Sequence, residues 1–128
     1  MRQSYAYKKC IQLVTGMYEM KKSEVKNVIT KNSQKFKYSV DVTNNFKKDV
    51  VDCYRRGLDI ELLVHAVEIL ATEGKLPQEY KPHPLHENYQ GFMECHIQPD
   101  WLLVWKQEND NFILILTNTG THSYVFGW

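Results

Sequence analysis

His96 and Asp100 stand four residues apart around Pro99 in the stretch CHIQPDWLLVW, an imidazole and a carboxylate at the two lips of a tight turn. A turn needs residues of suitable backbone preference, and neither group is required for that. An imidazole changes charge near neutral pH, and beside a carboxylate it suits general acid and base work. Each positioned proton transfer is worth roughly 10² to 10⁴ in rate. Four of the five histidines, His83, His86, His96 and His122, fall in the second half of the chain, and His122 closes the stretch TGTH.

A ribonuclease has use for such a set. Its substrate carries its own nucleophile, the 2′-hydroxyl, so the protein must supply a base for that proton, an acid for the departing 5′-oxygen and donors for the charged phosphorus centre. Neither a metal nor a cofactor is required. Trp101, Tyr124 and Phe126 lie near the same strand ends and could stack unpaired bases at ~1–3 kcal/mol each. A zinc site is a second reading of His83-x2-His86 with His96 and Asp100, although Pro84 and the lack of a helical His-x3-His leave it poorly preformed. His65 sits inside a helical pattern as a packing or surface residue, and Cys95 falls on the strand face opposite His96.

Regular elements must carry these groups to one place. From Phe36, FKYSVDV alternates Phe36, Tyr38, Val40 and Val42 with polar partners, the period of a half-buried strand. Thr43 or Asn44 caps a helix in which Phe46, Val50, Cys53 and Tyr54 recur at helical spacing, and Gly57 stops it. Asp59 opens a second helix with the apolar stripe Leu62, Leu63, Ala66, Val67, Ile69 and Leu70, ended by Gly74. Pro77, Pro82 and Pro84 then fix an extended connection, expected to be ordered by packing and not by ladder bonds. Three strand-like runs follow, about Tyr89 to Ile97, Trp101 to Gln107 and Phe112 to Thr119, with QPD and ENDN as turns. The expected fold is α+β: an N-terminal strand, a two-helix hairpin and an antiparallel three-strand meander in one sheet, helices on one face. Such a meander brings His96, Asp100 and His122 to one rim.

Length and composition agree. A chain of 128 residues, 43% hydrophobic and 24% charged, fits one globular domain, and no apolar run approaches the ~18 residues of a membrane span. Three cysteines without a CxxC pair point to a reducing compartment, hence the cytoplasm. The net charge of +1 hides an asymmetry: residues 1 to 35 hold eight Lys or Arg against two Glu, and residues 36 to 128 hold eight against thirteen acids. Residues 1 to 35 therefore read as a basic N-terminal extension, either disordered or a short helix capped by Ser23 with Val25, Val28 and Ile29 on one face. It is either an arm drawn to nucleic acid or a product of start-codon choice, since Met17 and Met20 are both possible starts. Residues 36 to 128 form the main domain.

The second half carries a resemblance. YKPHPLHENYQGFMECHIQPDWLLVW followed by TNTGTHSYVFG is similar to the YafQ branch of the RelE/ParE toxin superfamily, with its HPL segment, its G-aromatic stretch leading to H-x3-DW and its TGTH or TGSH. The resemblance covers about residues 36 to 128. It implies a RelE-like fold and a cytoplasmic ribosome-dependent mRNA endoribonuclease, an mRNA interferase that cuts mRNA in the ribosomal A site by metal-independent transesterification without a cofactor. It also implies a cognate antitoxin, a small dimeric DNA-binding protein through which alone operator DNA is reached. By motif, His83, His96, Asp100 and His122 are the catalytic positions, with His122 as general acid, Asp100 or His96 as base and His83 as phosphate donor or base partner. Lys81 is matched to backbone phosphate, and Trp101 and Phe126 to packing around the substrate. Lys47, Lys48, Tyr54, Arg55 and Arg56 on the first helix are candidates for the antitoxin-binding groove. Met93 and Asn118 stand where the family commonly has arginine. Two non-enzymatic alternatives stay open, a ParE-like gyrase inhibitor and an attenuated toxin that only binds antitoxin.

Overall fold

A computed structural model describes residues 19–121 and Val125. His122, Tyr124 and Phe126, and the first half of the basic extension, lie outside the described residues. Among the described residues α1 (Lys22–Ile29) comes first, followed by β1 (Ser39–Val42), α2 (Asn44–Arg55) and α3 (Ile60–Glu73). The two-residue β2 (His83–Pro84) precedes the meander of β3 (Met93–Gln98), β4 (Trp101–Glu108) and β5 (Ile113–Gly120). One sheet has the order β1-β5-β4-β3-β2, antiparallel throughout except that β1 runs parallel to β5.

Local chemistry sets the helix ends. Thr43 Oγ1 accepts the Phe46 amide at 3.0 Å at the start of α2, and Asp59 Oδ1 accepts the Glu61 amide at 3.1 Å at the start of α3. Gly74 ends α3 in the left-handed region at φ +77, and a Cβ there would stand 2.8 Å from the Tyr38 hydroxyl, so both conformation and packing exclude a side chain. The α2 stripe of Phe46, Val50, Cys53 and Tyr54 is buried as expected. It packs with Leu63, Val67 and Leu70 of α3 against Cys95, Leu103, Trp105, Leu114 and Leu116 of the sheet. Leu62 departs from the expected stripe and is 39% exposed.

The basic lead contributes to the same core. Val25 and Ile29 are fully buried in it, and Met20 joins them. The Lys21 amide is held by Glu24 Oε1 at 3.0 Å, so Ser23 lies inside the first turn and is not the cap. Lysines of this segment meet acids across the surface, Lys26 with Asp41 at 3.6 Å, Lys35 with Glu68 at 3.7 Å and Lys31 with Glu61. Part of the positive charge of the first 35 residues is thereby neutralised.

Three strand expectations are corrected, the first being that the meander opens at Met93 and not near Tyr89, which closes a short 3-10 turn over Glu87–Tyr89. The proline connection does make ladder contacts, because β2 pairs with β3 through His83 opposite Glu94 and Pro84 opposite Met93. The last strand begins at Ile113, since Phe112 has φ +56, a turn conformation that no strand residue takes. Phe112 instead sits edge-on to Tyr38, with Lys37 over its ring.

Candidate active site

Register assembles the site. His96 pairs with Leu102 on one side, and Gly120 pairs with the same Leu102 on the other. Two strand spacings of about 4.8 Å therefore put the backbones of His96 and Gly120 about 10 Å apart in one row. Gly120 belongs to TGTH, so the H-x3-D and TGTH stretches meet at one end of the sheet. The tight turn between β3 and β4 holds Pro99 and an exposed Asp100 at that rim, and the ladder shifts between His96 and Gln98.

Alternation along β3 separates two faces. Met93, Cys95 and Ile97 lie toward the helices, with Cys95 fully buried and the other two packed against the core. Glu94 and His96 lie on the opposite face, and the pairing of His83 with Glu94 brings His83 there too. Leu102 and Val104 are buried outside the helix-side core and floor this second face. Position 93 thus faces the helices, so the methionine there removes no cation from the histidine face. Asn118, the other departure, turns its amide toward Asp49 Oδ2 at 3.4 Å.

Each histidine of this face has a defined partner. His96 Nδ1 lies 3.2 Å from the Pro99 carbonyl. A carbonyl only accepts, so Nδ1 carries the hydrogen, and in the neutral ring Nε2 keeps the lone pair a base needs. His83 Nδ1 donates to the Lys81 carbonyl at 2.8 Å, and its Nε2 meets Glu94 Oε1 at 3.1 Å. Glu94 is 4% exposed, and its second oxygen has no partner among the described residues. Lys81, in the left-handed region at φ 51, shares a cleft with His96, Ile97, Pro99 and Glu79, so one cation and one imidazole open on the same space.

The remaining candidates fall elsewhere. Trp101 is 2% exposed and sits beneath the rim, its indole N–H donating to Thr119 Oγ1 at 2.9 Å. Lys48, Arg55 and Arg56 are exposed, Lys47 is half-buried and Tyr54 is buried. Arg55 and Arg56 line a second cleft with Asp49, Asp52, Cys53, Thr119 and Gly120. His86 is exposed beyond β2, and among the described residues no three His, Cys, Asp or Glu side chains gather as metal ligands. Burial, reinforced by Asp49, pushes the Cys53 thiol up to about 11, and burial with Glu94 beside it pushes Cys95 up to about 12. Neither thiol is a nucleophile at neutral pH.

Glu94 was not singled out by sequence. The alternation M-E-C-H places it on the face of His96, but its value as a partner of His83 depends on a register that no local pattern fixes. Asp49 was missed as well. It falls on the α2 apolar stripe between Phe46 and Val50, an acid at a core position, and that signal was readable.

Comparison with known proteins gives the family and the fold. A family described as a bacterial toxin of type II toxin-antitoxin systems, YafQ, matches residues 38–127. The mRNA interferase toxin YafQ of Escherichia coli BL21-DE3 is 33% identical over 89 residues, 69% of this chain and 95% of that protein. In the crystal structure of the E. coli DinJ-YafQ complex, a chain with 32% identity superposes with a TM-score of 0.65, covering 71% of this chain and 100% of its own length. A metal-bound toxin from Helicobacter pylori is 37% identical with a TM-score of 0.64, over 70% and 99% of the two chains.

Proposed function

The chain belongs to the YafQ family of type II toxins, and on that footing we propose that it cuts mRNA on the ribosome by metal-independent acid and base catalysis at the β3–β4–β5 rim. It is an mRNA interferase, an endoribonuclease, with a RelE-like fold and a cognate antitoxin. The relatives are named for RNA cleavage, which sets the gyrase-inhibitor alternative aside.

The observation that carries the catalytic reading is the shared row of His96, Leu102 and Gly120. His96 Nε2 or the Asp100 carboxylate takes the 2′-hydroxyl proton, the oxygen attacks the adjacent phosphorus, and a 2′,3′-cyclic phosphate forms as the 5′-oxygen leaves. His122, two residues beyond Gly120, supplies the proton to that leaving group. Lys81 neutralises phosphate charge from the shared cleft. His83, with both ring nitrogens engaged by the protein, acts by orienting Glu94 and the Lys81 carbonyl, and Trp101 supports the turn from below. Phe126 packs on the substrate base. The chain works in the cytoplasm, where its ribosome-bound substrate is; no helix of the described residues is long and apolar enough to cross a membrane.

Primer extension on an mRNA incubated with ribosomes and the protein tests this. Cuts within codons are expected only when ribosomes are present, and they persist in EDTA once the ribosomes have been fixed in magnesium and the chelator is limited to trace transition metals. Cutting of naked RNA at equal rate, or loss of cutting on removal of transition metal, would overturn the ribosome-dependent or the metal-independent part respectively.

The antitoxin is a small dimeric DNA-binding protein, and we place part of its docking groove along α2, at Lys47, Lys48, Tyr54, Arg55 and Arg56. Exposed guanidinium groups beside the second cleft suit an acidic segment. Reversing Arg55 and Arg56 to Glu is expected to weaken the complex about tenfold or more and to reduce its salt dependence. An unchanged Kd by calorimetry would remove α2 from the interface.

A further inference from the structure

We propose that Asp49 and Thr119 form a buried brace that sets the end of β5 against the start of β4, and that both act on cleavage as positioning residues. This rests on the reading that Asp100 and TGTH are the reacting elements. Thr119, the first threonine of TGTH, is fully buried, and its hydroxyl is used twice. It accepts the Trp101 indole N–H at 2.9 Å and donates to the Leu102 carbonyl at 2.6 Å. Its backbone N–H donates to Asp49 Oδ2 at 3.1 Å, and Asn118 Nδ2 approaches the same oxygen at 3.4 Å. Asp49 is itself 2% exposed, so a carboxylate from α2 is held inside the molecule at this junction.

The ladder shows why a brace is needed. The β4–β5 pairing shifts between Val104 and Trp105, where β5 carries one extra residue. A bulge re-aims the strand beyond it, and a slip of one residue would turn every following side chain to the other face. Thr117 Oγ1 closes the bulge on the Val104 carbonyl at 3.0 Å, and past it Thr119 and Asp49 fix the last residues of β5. The Trp101 donor directly follows Asp100, so one hydroxyl couples the turn carrying Asp100 to the strand that leads into His122. A core that only needed a filled volume would be served by valine at 119.

The test compares Thr119→Val, which keeps the shape and removes both hydroxyl bonds, with Thr119→Ser, which keeps the hydroxyl. Single-turnover cleavage on programmed ribosomes is measured against toxin concentration, with thermal unfolding of each variant alongside. Misplacing a reacting group by about 1 Å costs about 10²-fold, so folded Thr119→Val is expected to lose roughly tenfold to a hundredfold in kcat. KM should stay nearly constant, and Thr119→Ser should stay near wild type. The Trp101 indole N–H resonance should move in the valine variant and not in the serine one. A wild-type kcat for folded Thr119→Val overturns the proposal; should that variant not fold, Asp49→Leu, which keeps the size of the side chain and removes the acceptor of the Thr119 amide, carries the same test, and a wild-type kcat there overturns it. Asp100→Ala run in parallel separates the two ideas. If it is inactive while the brace variants keep full rate, the brace alone fails; if it cleaves like wild type, the site reading fails and the brace falls with it.

Discussion

Asp100→Ala is expected to lower single-turnover cleavage by roughly 10² to 10⁴ while leaving the fold in place, and His96→Ala to do the same. Asp100 is exposed in the β3–β4 turn, and among the described residues no hydrogen bond or ion pair uses its carboxylate. Removing it therefore should shift stability by no more than about 0.5 kcal/mol, the range of surface substitutions away from structural features. His96 differs in that its Nδ1 hydrogen holds the Pro99 carbonyl, so alanine there also loosens the turn. His96→Gln separates these effects, since its side-chain amide can still donate to that carbonyl but cannot take a proton at neutral pH. A pair of folded variants, Asp100→Ala and His96→Gln, both cleaving at the wild-type rate would remove the turn from the mechanism. The same loss is expected of His122→Ala on its motif alone.

Legibility followed the range of the interactions. The α2 helix was readable because cap, stripe and stop lie within fifteen residues: Thr43, then Phe46, Val50, Cys53 and Tyr54, then Gly57. The meander was readable because two short turns join three short strand-like runs, of which WLLVW is apolar throughout and buried. Two features resisted for opposite reasons. β2 is two residues long and contains proline, so it has no period to detect, and it exists only because β3 offers it an edge. β1 has a clear period, yet its parallel place beside β5 joins residues about 74 apart in sequence, and periodicity says nothing about which neighbour a strand takes. The site divides the same way. HPL, H-x3-D and TGTH were visible as motifs, whereas Glu94, which holds His83 of the HPL segment, and Asp49, which holds the far end of β5, act through tertiary register. α1 was read as a basic lead, and its lysines are indeed on the surface. Its two core residues, Val25 and Ile29, make it part of the packed body.

His83→Ala is expected to cost stability as well as activity, and the reason lies in Glu94. That carboxylate is almost wholly buried, one oxygen rests on His83 Nε2 and the other has no partner among the described residues. Taking the imidazole away leaves a buried carboxyl group with neither oxygen satisfied, a loss of about 1–3 kcal/mol; the half-exposed ring lets some water reach the gap and holds the figure to that range. Glu94→Gln should recover much of the loss in the His83→Ala background, because a neutral amide is cheaper to leave unpaired than a carboxylate. Urea unfolding of the wild type, the two single variants and the double variant measures that coupling directly. A His83→Ala variant within about 0.5 kcal/mol of wild type would show that the pair is not a structural unit, and His83 would return to the list of groups free to touch RNA. With coupling present, cleavage by the double variant decides the remaining question. Activity that recovers together with stability assigns His83 an orienting role only. Activity that stays low in a restabilised double variant means that the imidazole itself meets the phosphate, and that its bond to Glu94 opens when substrate binds.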